Sequence, residues 1–205
     1  DLNKQLSGKV ASAGTAVSTY KHGVSGSSSV KDVETMLQLV YLQFTAPRFN
    51  EDDFATLMKR YNTMLANQLT NPDFLFRQKL VKTVYGDNFR RQQITPELLE
   101  TVKLEQMPEV HKRLYSNAVD FSFRIIGNID AATLKPLVEK YIGSLPAAKK
   151  PTNKFTDDGV RIAEGEIDEQ ITVKMEQPKV SVGYCYTGDA DYTIKNIMTM
   201  SFLTQ

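Results

Sequence analysis

Apolar positions along this chain switch between a period of two and a period near 3.6, and the switches mark its elements. The sharpest switch lies in 120–146, DFSFRIIGNIDAATLKPLVEKYIGSLP. Phe121, Phe123 and Ile125 alternate with Ser122 and Arg124, as in a half-buried strand. Gly127-Asn128 breaks the run, and Asp130 stands where a helix N-cap belongs. Leu134, Leu137, Val138, Tyr141 and Ile142 then share one helical face. Gly143 is placed to end that helix and Pro146 to prevent its resumption. Pro136 lies inside it and costs a hydrogen bond unless the helix begins late. An apolar helix stripe behind an apolar strand face marks a layered αβ domain.

The rest of the chain obeys the same logic. Residues 1–7 read as the tail of a helix that opens mid-element at Asp1-Leu2-Asn3, as in a fragment of a longer protein. The Ser, Thr, Ala, Gly and Val of 8–29 read as two antiparallel strands, about 9–15 and 17–26, bending near Gly14. Ser29 is the expected cap of the next helix. That helix carries Val33, Met36, Leu37, Val40, Tyr41 and Phe44 as a continuous stripe, ended by Ala46-Pro47. Asn50 caps a second helix, with Phe54, Leu57, Met58, Tyr61, Leu65 and Leu69 as its expected buried face. Asn71-Pro72 starts a third, which runs to Gly86 before the polar loop 87–93. Thr95-Pro96-Glu97 and Pro108 open two shorter helices, the second ending at Tyr115. The Lys, Pro, Asp and Thr of 148–165 predict a linker. Strands are expected over 166–176, through Ile167, Ile171, Val173 and Met175, and over 180–186. A helix within 189–205 places Ile194, Ile197, Met198 and Phe202 on one face. One strand pair and one helix bury too little to stand as a domain.

Several residue groups could carry chemistry, and each has a plainer use. SGSSS at 25–29 could cradle phosphate, but the GxxxxGK pattern is absent and a strand end is the simpler reading. Met36 and its aromatic neighbours sit at core spacing. Glu51, Asp52 and Asp53 complement the positive end of a helix. A hydrolytic zinc site needs about three protein ligands and a water. The chain has only two histidines, His22 and His111, on a strand and a distant helix, and neither has a glutamate and second histidine at helical spacing. Both are expected at the surface or an edge. Cys185, between Tyr184 and Tyr186, reads as a small buried hydrophobe rather than a nucleophile. No serine stands in a G-x-S-x-G elbow, and the carboxylates are scattered. Catalytic and metal-binding residues are therefore expected to be none, and no substrate-binding residue can be named.

At 205 residues, 41% hydrophobic and 24% charged, the composition is that of an ordinary globular protein with room for a core. A net charge of +1 provides no electrostatic attraction for nucleic acid or an anionic membrane. No apolar run approaches the roughly 20 residues that span a bilayer. The single cysteine excludes an internal disulfide.

The 120–146 run, DFSFRIIGNID…LKPLVEKYIGSLP, resembles the closing strand–helix unit of the pitrilysin/insulinase-type zinc metallopeptidases, the superfamily that includes mitochondrial processing peptidase. Upstream, GKVASAGTAVSTYKHGVSGSSSVKDVETMLQLVYLQFTAPRFNEDDF resembles the non-catalytic half of bacterial members, so the likeness spans nearly the whole chain. It implies an α+β fold: a two-layer αβ sandwich, a mostly antiparallel sheet with helices packed on one face. It implies a non-catalytic domain over 1–147 lacking its first strand and helix, with 166–205 as the start of the next homologous domain. The resemblance further implies that zinc and the HxxEH motif belong to a catalytic domain elsewhere in the parent. This part would wall the proteolytic chamber and contact peptide without hydrolysing it. The alternative implied is a structural module that has lost hydrolysis, like the core subunits of respiratory complex III. The expected partners are the remaining domains of the peptidase and a peptide or protein substrate. Nucleic acid and membrane insertion are not expected. The tail 179–205 is expected to complete the sheet of 1–147, in its own chain or by exchange in a dimer. A periplasmic or cell-envelope location is expected, otherwise a cytoplasmic one.

Overall fold

The computed structural model describes residues 2–175 and 177–203, so Asp1, Glu176, Thr204 and Gln205, which end three of the expected elements, lie outside the described residues. The chain divides into two compact units, Asp1–Met64 with Thr95–Thr156, and Leu65–Ile94 with Asp157–Gln205.

The first unit opens with the short helix α1 (Leu2–Gln5) and a hairpin of β1 (Ala11–Val17) and β2 (His22–Ser28), antiparallel with Ala11 opposite Ser28 and Val17 opposite His22. The chain reverses at 18–21, not near Gly14 as expected. Ser18 makes the turn, its amide donating to the Lys21 carbonyl at 2.7 Å and its hydroxyl donating to the same oxygen at 3.0 Å. Gly14 pairs inside the ladder with Ser25. Strands built of Ser, Thr, Ala and Gly have little apolar alternation to fix a register, so local turn chemistry decides it.

A 3-10 turn at Val30–Asp32 leads into α2 (Val33–Thr45). Ser29 does not cap by accepting from the helix amides. Its hydroxyl donates to the Asp32 carboxylate at 2.6 Å, and that carboxylate also accepts from the Val10 amide at 3.0 Å. The buried Asp32 thus ties the entry to β1 to the start of α2. α2 packs across both strands and against α7 (Ala131–Tyr141). Its buried positions include the expected Val33, Leu37, Val40 and Phe44, joined by Thr35 and Leu39. α7 is capped by Asp130, which accepts from the Thr133 amide at 2.8 Å. The half-buried residues within it and at its C-cap are Leu134, Leu137, Val138, Tyr141 and Ile142, the face that the spacing predicts. Pro136 is accommodated inside the helix. The short helix α5 (Pro96–Glu100) is capped by Thr95, and α6 (Met107–Tyr115) comes after a 3-10 turn. The core joins Val40 and Phe44 of α2, Tyr115 of α6 and Leu145, with Val24, Phe121 and Ile142 packed around them.

α3 (Glu51–Leu69) starts where expected, its Asn50 cap accepting from the Asp53 amide at 2.9 Å. Of its expected apolar face only Leu65 is buried, while Leu57, Tyr61 and Leu69 are exposed. The second unit holds α4 (Pro72–Tyr85), capped by Asn71, and α8 (Ile194–Leu203). There Lys179 pairs with Asp73 at 2.6 Å, Lys79 with Glu169 at 2.9 Å, and the Ala163 amide donates to the Val84 carbonyl at 2.8 Å. Arg161 holds the Asp157 carboxyl down at about 2.

Three expected strands are corrected. Among the described residues the β1–β2 pair is the whole sheet, and 120–127, 166–176 and 180–186 carry no ladder. Each keeps its alternating sequence, but a strand needs a neighbour at about 4.7–4.9 Å, and these segments have none. The fold is therefore helices with a small antiparallel hairpin: α2 packs across the hairpin and against α7, and among the described residues no wider sheet forms the expected two-layer sandwich.

Candidate functional site

Both histidines are placed against one tyrosine. His22, on β2, meets the Tyr115 ring edge-on at 5.6 Å and Phe121 at 5.3 Å. His111, one helical turn before Tyr115 on α6, stacks on the same ring at 4.9 Å and meets Phe49 edge-on at 6.1 Å. Its Nε2–H donates to the Gln43 carbonyl at 2.8 Å. Both histidines are half-buried members of an aromatic cluster: His22 lies on the edge strand β2, within the surface-or-edge expectation, whereas His111 faces inward from α6. Local spacing carries no signal of this, because the contacts join residues far apart in sequence.

Tyr115 itself is 2% exposed, and its hydroxyl is shared between the carbonyls of Ala16 and Gly23, each at 3.2 Å. Those two residues face each other across the hairpin. Burial pushes the phenol pKa up, against the opposing pull of the Gly23 carbonyl contact and Thr15. The arrangement holds α6 to the sheet and leaves no exposed imidazole pair.

Zinc does not fit these residues. One His111 nitrogen is committed to a carbonyl, and among the described residues no three His, Cys, Asp or Glu side chains gather where they could hold a metal ion. Glu51, Asp52 and Asp53 lie exposed on the first turn of α3, Asp53 pairing with Arg48 at 2.8 Å. Cys185, expected to be buried, is exposed. The 25–29 run ends β2 and leads into the 3-10 turn. On the tail helix region Tyr192 and Lys195 are exposed, and the Asn196 side chain donates to the Asp191 carbonyl at 2.9 Å.

Two features of the first unit were not anticipated. The first is a cavity of about 760 Å³ between β2 and 120–129, floored by Val33, Leu37 and Val40 of α2 and by Val138 and Ile142 at α7. The second is a latch at Asp120. Its carboxylate accepts from the Thr152 hydroxyl and amide at 2.5 and 2.6 Å, from the Asn153 amide at 3.1 Å and from the Asn117 side chain at 2.9 Å. Asn117 accepts in turn from the Ala148 amide at 2.8 Å. The stretch read as linker is therefore pinned over 148–153. A sequence signal existed in the Asn117-x-x-Asp120 pair, whose side chains can both serve nearby backbone.

The Thr152 hydroxyl leads the hydrogen bonds that hold the Asp120 pKa below its ordinary value, with burial opposing. A depressed carboxyl pKa stabilises the fold above its unfolded value, near 3.9, and that stability is lost as pH falls through the folded value. Amides of 152 and 153 should stay protected at neutral pH and open in acid. Asp120→Asn should weaken their protection already at neutral pH and remove the acid step. Amide exchange, corrected for its intrinsic pH dependence, reads both, and an Asn variant protected like the parent would refute the latch.

The family model described as the peptidase M16 inactive domain matches residues 101–205, just over half of the chain. This chain belongs to the peptidase M16 inactive-domain family. Among curated relatives, a zinc protease PQQL-like protein of Arabidopsis thaliana is 25% identical over 131 residues, 63% of this chain and 14% of that protein. The probable zinc protease PqqL of Escherichia coli K12 is 24% identical over 159 residues, 75% of this chain and 16% of that protein. This M16 domain thus spans about one-sixth or less of the curated relatives it matches. Its fold is shared with the ferredoxin protease FusC, solved in complex with Arabidopsis ferredoxin, at TM-score 0.61 and 17% identity, covering 77% of this chain and 17% of that one. A peptidase M16 inactive domain from Pseudomonas fluorescens superposes with TM-score 0.56 and 18% identity, covering 71% of this chain and 36% of that one.

Proposed function

We propose that this chain is the non-catalytic domain of a larger zinc metalloendopeptidase, where it walls the proteolytic chamber and contacts peptide, while hydrolysis belongs to a zinc-bearing domain elsewhere in the parent. The observation that supports this most directly is the use of His22 and His111: both are consumed in packing Tyr115. The short share of each curated relative that the chain covers supports a part within a larger machine. Apolar residues left open on α3 and α8 are the surfaces that neighbouring domains would cover. In that setting the sheet gains strands in the gap beside β2, and the two-layer αβ sandwich is complete.

The purified chain should cleave no peptide, with or without added zinc. The parent polypeptide should cleave peptide in a chelator-sensitive way, and should lose that cleavage when this domain is deleted. Chelator-sensitive hydrolysis by the purified chain would overturn the assignment. A parent lacking chelator-sensitive hydrolysis would favour the structural module instead.

A further inference from the structure

The loop that follows α4 is built more tightly than its polar sequence suggests. Asn88 organises it. Its side-chain oxygen accepts from the Arg90 amide at 3.0 Å, and its carbonyl accepts from the Arg91 and Gln92 amides at 2.9 and 3.2 Å. The Gln92 side chain donates to the Asp87 carbonyl at 3.0 Å, and the Asp87 carboxylate pairs with Lys82 of α4 at 3.0 Å. The Arg91 guanidinium lies over the Tyr85 ring at 4.8 Å. All of these residues belong to the second unit, and together they fix the turn to the end of α4.

The turn holds two side chains out to solvent. Phe89 is 73% exposed, and the guanidinium of the exposed Arg90 lies 5.2 Å from the centre of its ring. Asp87, the nearest acid in sequence, is engaged by Lys82, and among the described residues Arg90 takes part in no ion pair. A guanidinium stacked on a ring keeps the donors along its edge for a carboxylate, in a fork that lysine lacks. Stacking also restricts the arginine before a partner arrives, so less rotamer freedom is lost on binding. An aromatic ring beside an arginine is the composition of interface anchors.

We propose that Phe89 and Arg90 recognise a peptide that carries a carboxylate side chain next to an apolar one. The carboxylate meets the Arg90 guanidinium, and the apolar side chain lies against the Phe89 ring. A peptide is favoured over nucleic acid because one cation beside one ring matches a single acid–apolar pair, and the net charge of +1 supplies no field for a long polyanion. The contact is an exposed ion pair, so its selectivity should fade as salt is added. The inference rests on the reading that this domain contacts peptide, and names the class of peptide it prefers. Binding alone reads it, so it is tested separately from cleavage.

The probe is a labelled peptide with one Glu-Leu pair in a Gly-Ser background, titrated into the purified chain and followed by anisotropy and by amide shifts. It should bind about fivefold more tightly than the same peptide with Gln-Leu, the upper end for an exposed ion pair, and the shifts should centre on 86–93. Arg90→Glu should reverse that preference, and Arg90→Lys should retain part of it. Phe89→Ala should weaken the Glu-Leu and Gln-Leu peptides alike. Neither side chain is buried, so circular dichroism should be unchanged in all three variants. Equal binding of the two peptides, shifts centred elsewhere, or a preference that survives Arg90→Glu would each overturn the proposal. A single-stranded oligonucleotide that bound more tightly than the Glu-Leu peptide would overturn it in favour of nucleic acid. Selective binding here, with a parent that cleaves nothing, would refute the peptidase reading alone.

Discussion

Replacing Tyr115 with alanine should cost about 3–5 kcal/mol of folding free energy, the range for deleting a buried aromatic ring. The ring is 2% exposed and meets four others: Phe44 at 5.8 Å, Phe121 at 5.9 Å, His22 at 5.6 Å and His111 at 4.9 Å. Its removal opens a cavity at the point where α6, α2 and the hairpin meet. It also removes the hydroxyl donor shared by Ala16 and Gly23. Tyr115→Phe separates the two contributions. It keeps the ring and should cost about 0.5–1.5 kcal/mol, the net worth of one hydrogen bond. Denaturant midpoints of both variants measure this, and they should shift without a change in slope if the unfolded state is unaffected. A Tyr115→Ala midpoint close to that of the parent would contradict the central role assigned to this side chain.

The elements of this domain are legible wherever one residue does local work. Asn50 and Asp130 cap helices where their side chains reach free amides, and Asn71 starts α4 before a proline that lacks one. The 3.6-residue stripe of α7 names all of its half-buried positions because that helix has a single partner face. Legibility fails where partners decide. The turn at 18–21 cannot be placed from a Ser, Thr, Ala and Gly stretch that fits several registers. The alternation of 120–127 and 180–186 is a property of the sequence, but pairing belongs to two segments, and each lacks its neighbour. The stripe of α3 predicts a buried face, whereas amphipathicity says only that a face needs covering, not by what. The histidines show the same limit. Two residues 89 positions apart (111 − 22) meet one ring only because the chain folds first. Family resemblance reaches further than periodicity, since it compares many stretches of the chain at once, whereas periodicity sees one at a time.

Gly143→Ala should destabilise the first unit by about 1–3 kcal/mol, the usual cost of forcing an extra methyl into a filled space. A Cβ at this position would sit 2.7 Å from the Glu139 carbonyl oxygen, an atom of the helix backbone that cannot swing aside. The glycine amide is meanwhile committed to the Val138 carbonyl at 2.9 Å, which fixes how the chain leaves α7. That exit positions the next three residues. Leu145 turns into the core, and the Pro146 carbonyl accepts from the Ala118 amide at 2.8 Å. Moving the exit to relieve the clash would therefore pull on the core and on the start of the Asp120 latch together. Gly14→Ala is the matched comparison, since nothing lies within 4 Å of the added methyl and its φ is not in the left-handed region. That substitution removes unfolded-chain freedom at no steric cost, and should stabilise by about 0.4–1 kcal/mol. Opposite signs for the two variants in one denaturant series would show that close approach, and not glycine's flexibility in general, is what position 143 requires. Equal and small effects at both would mean that the end of α7 yields freely, and the account of how Leu145 is held in the core would have to be given up.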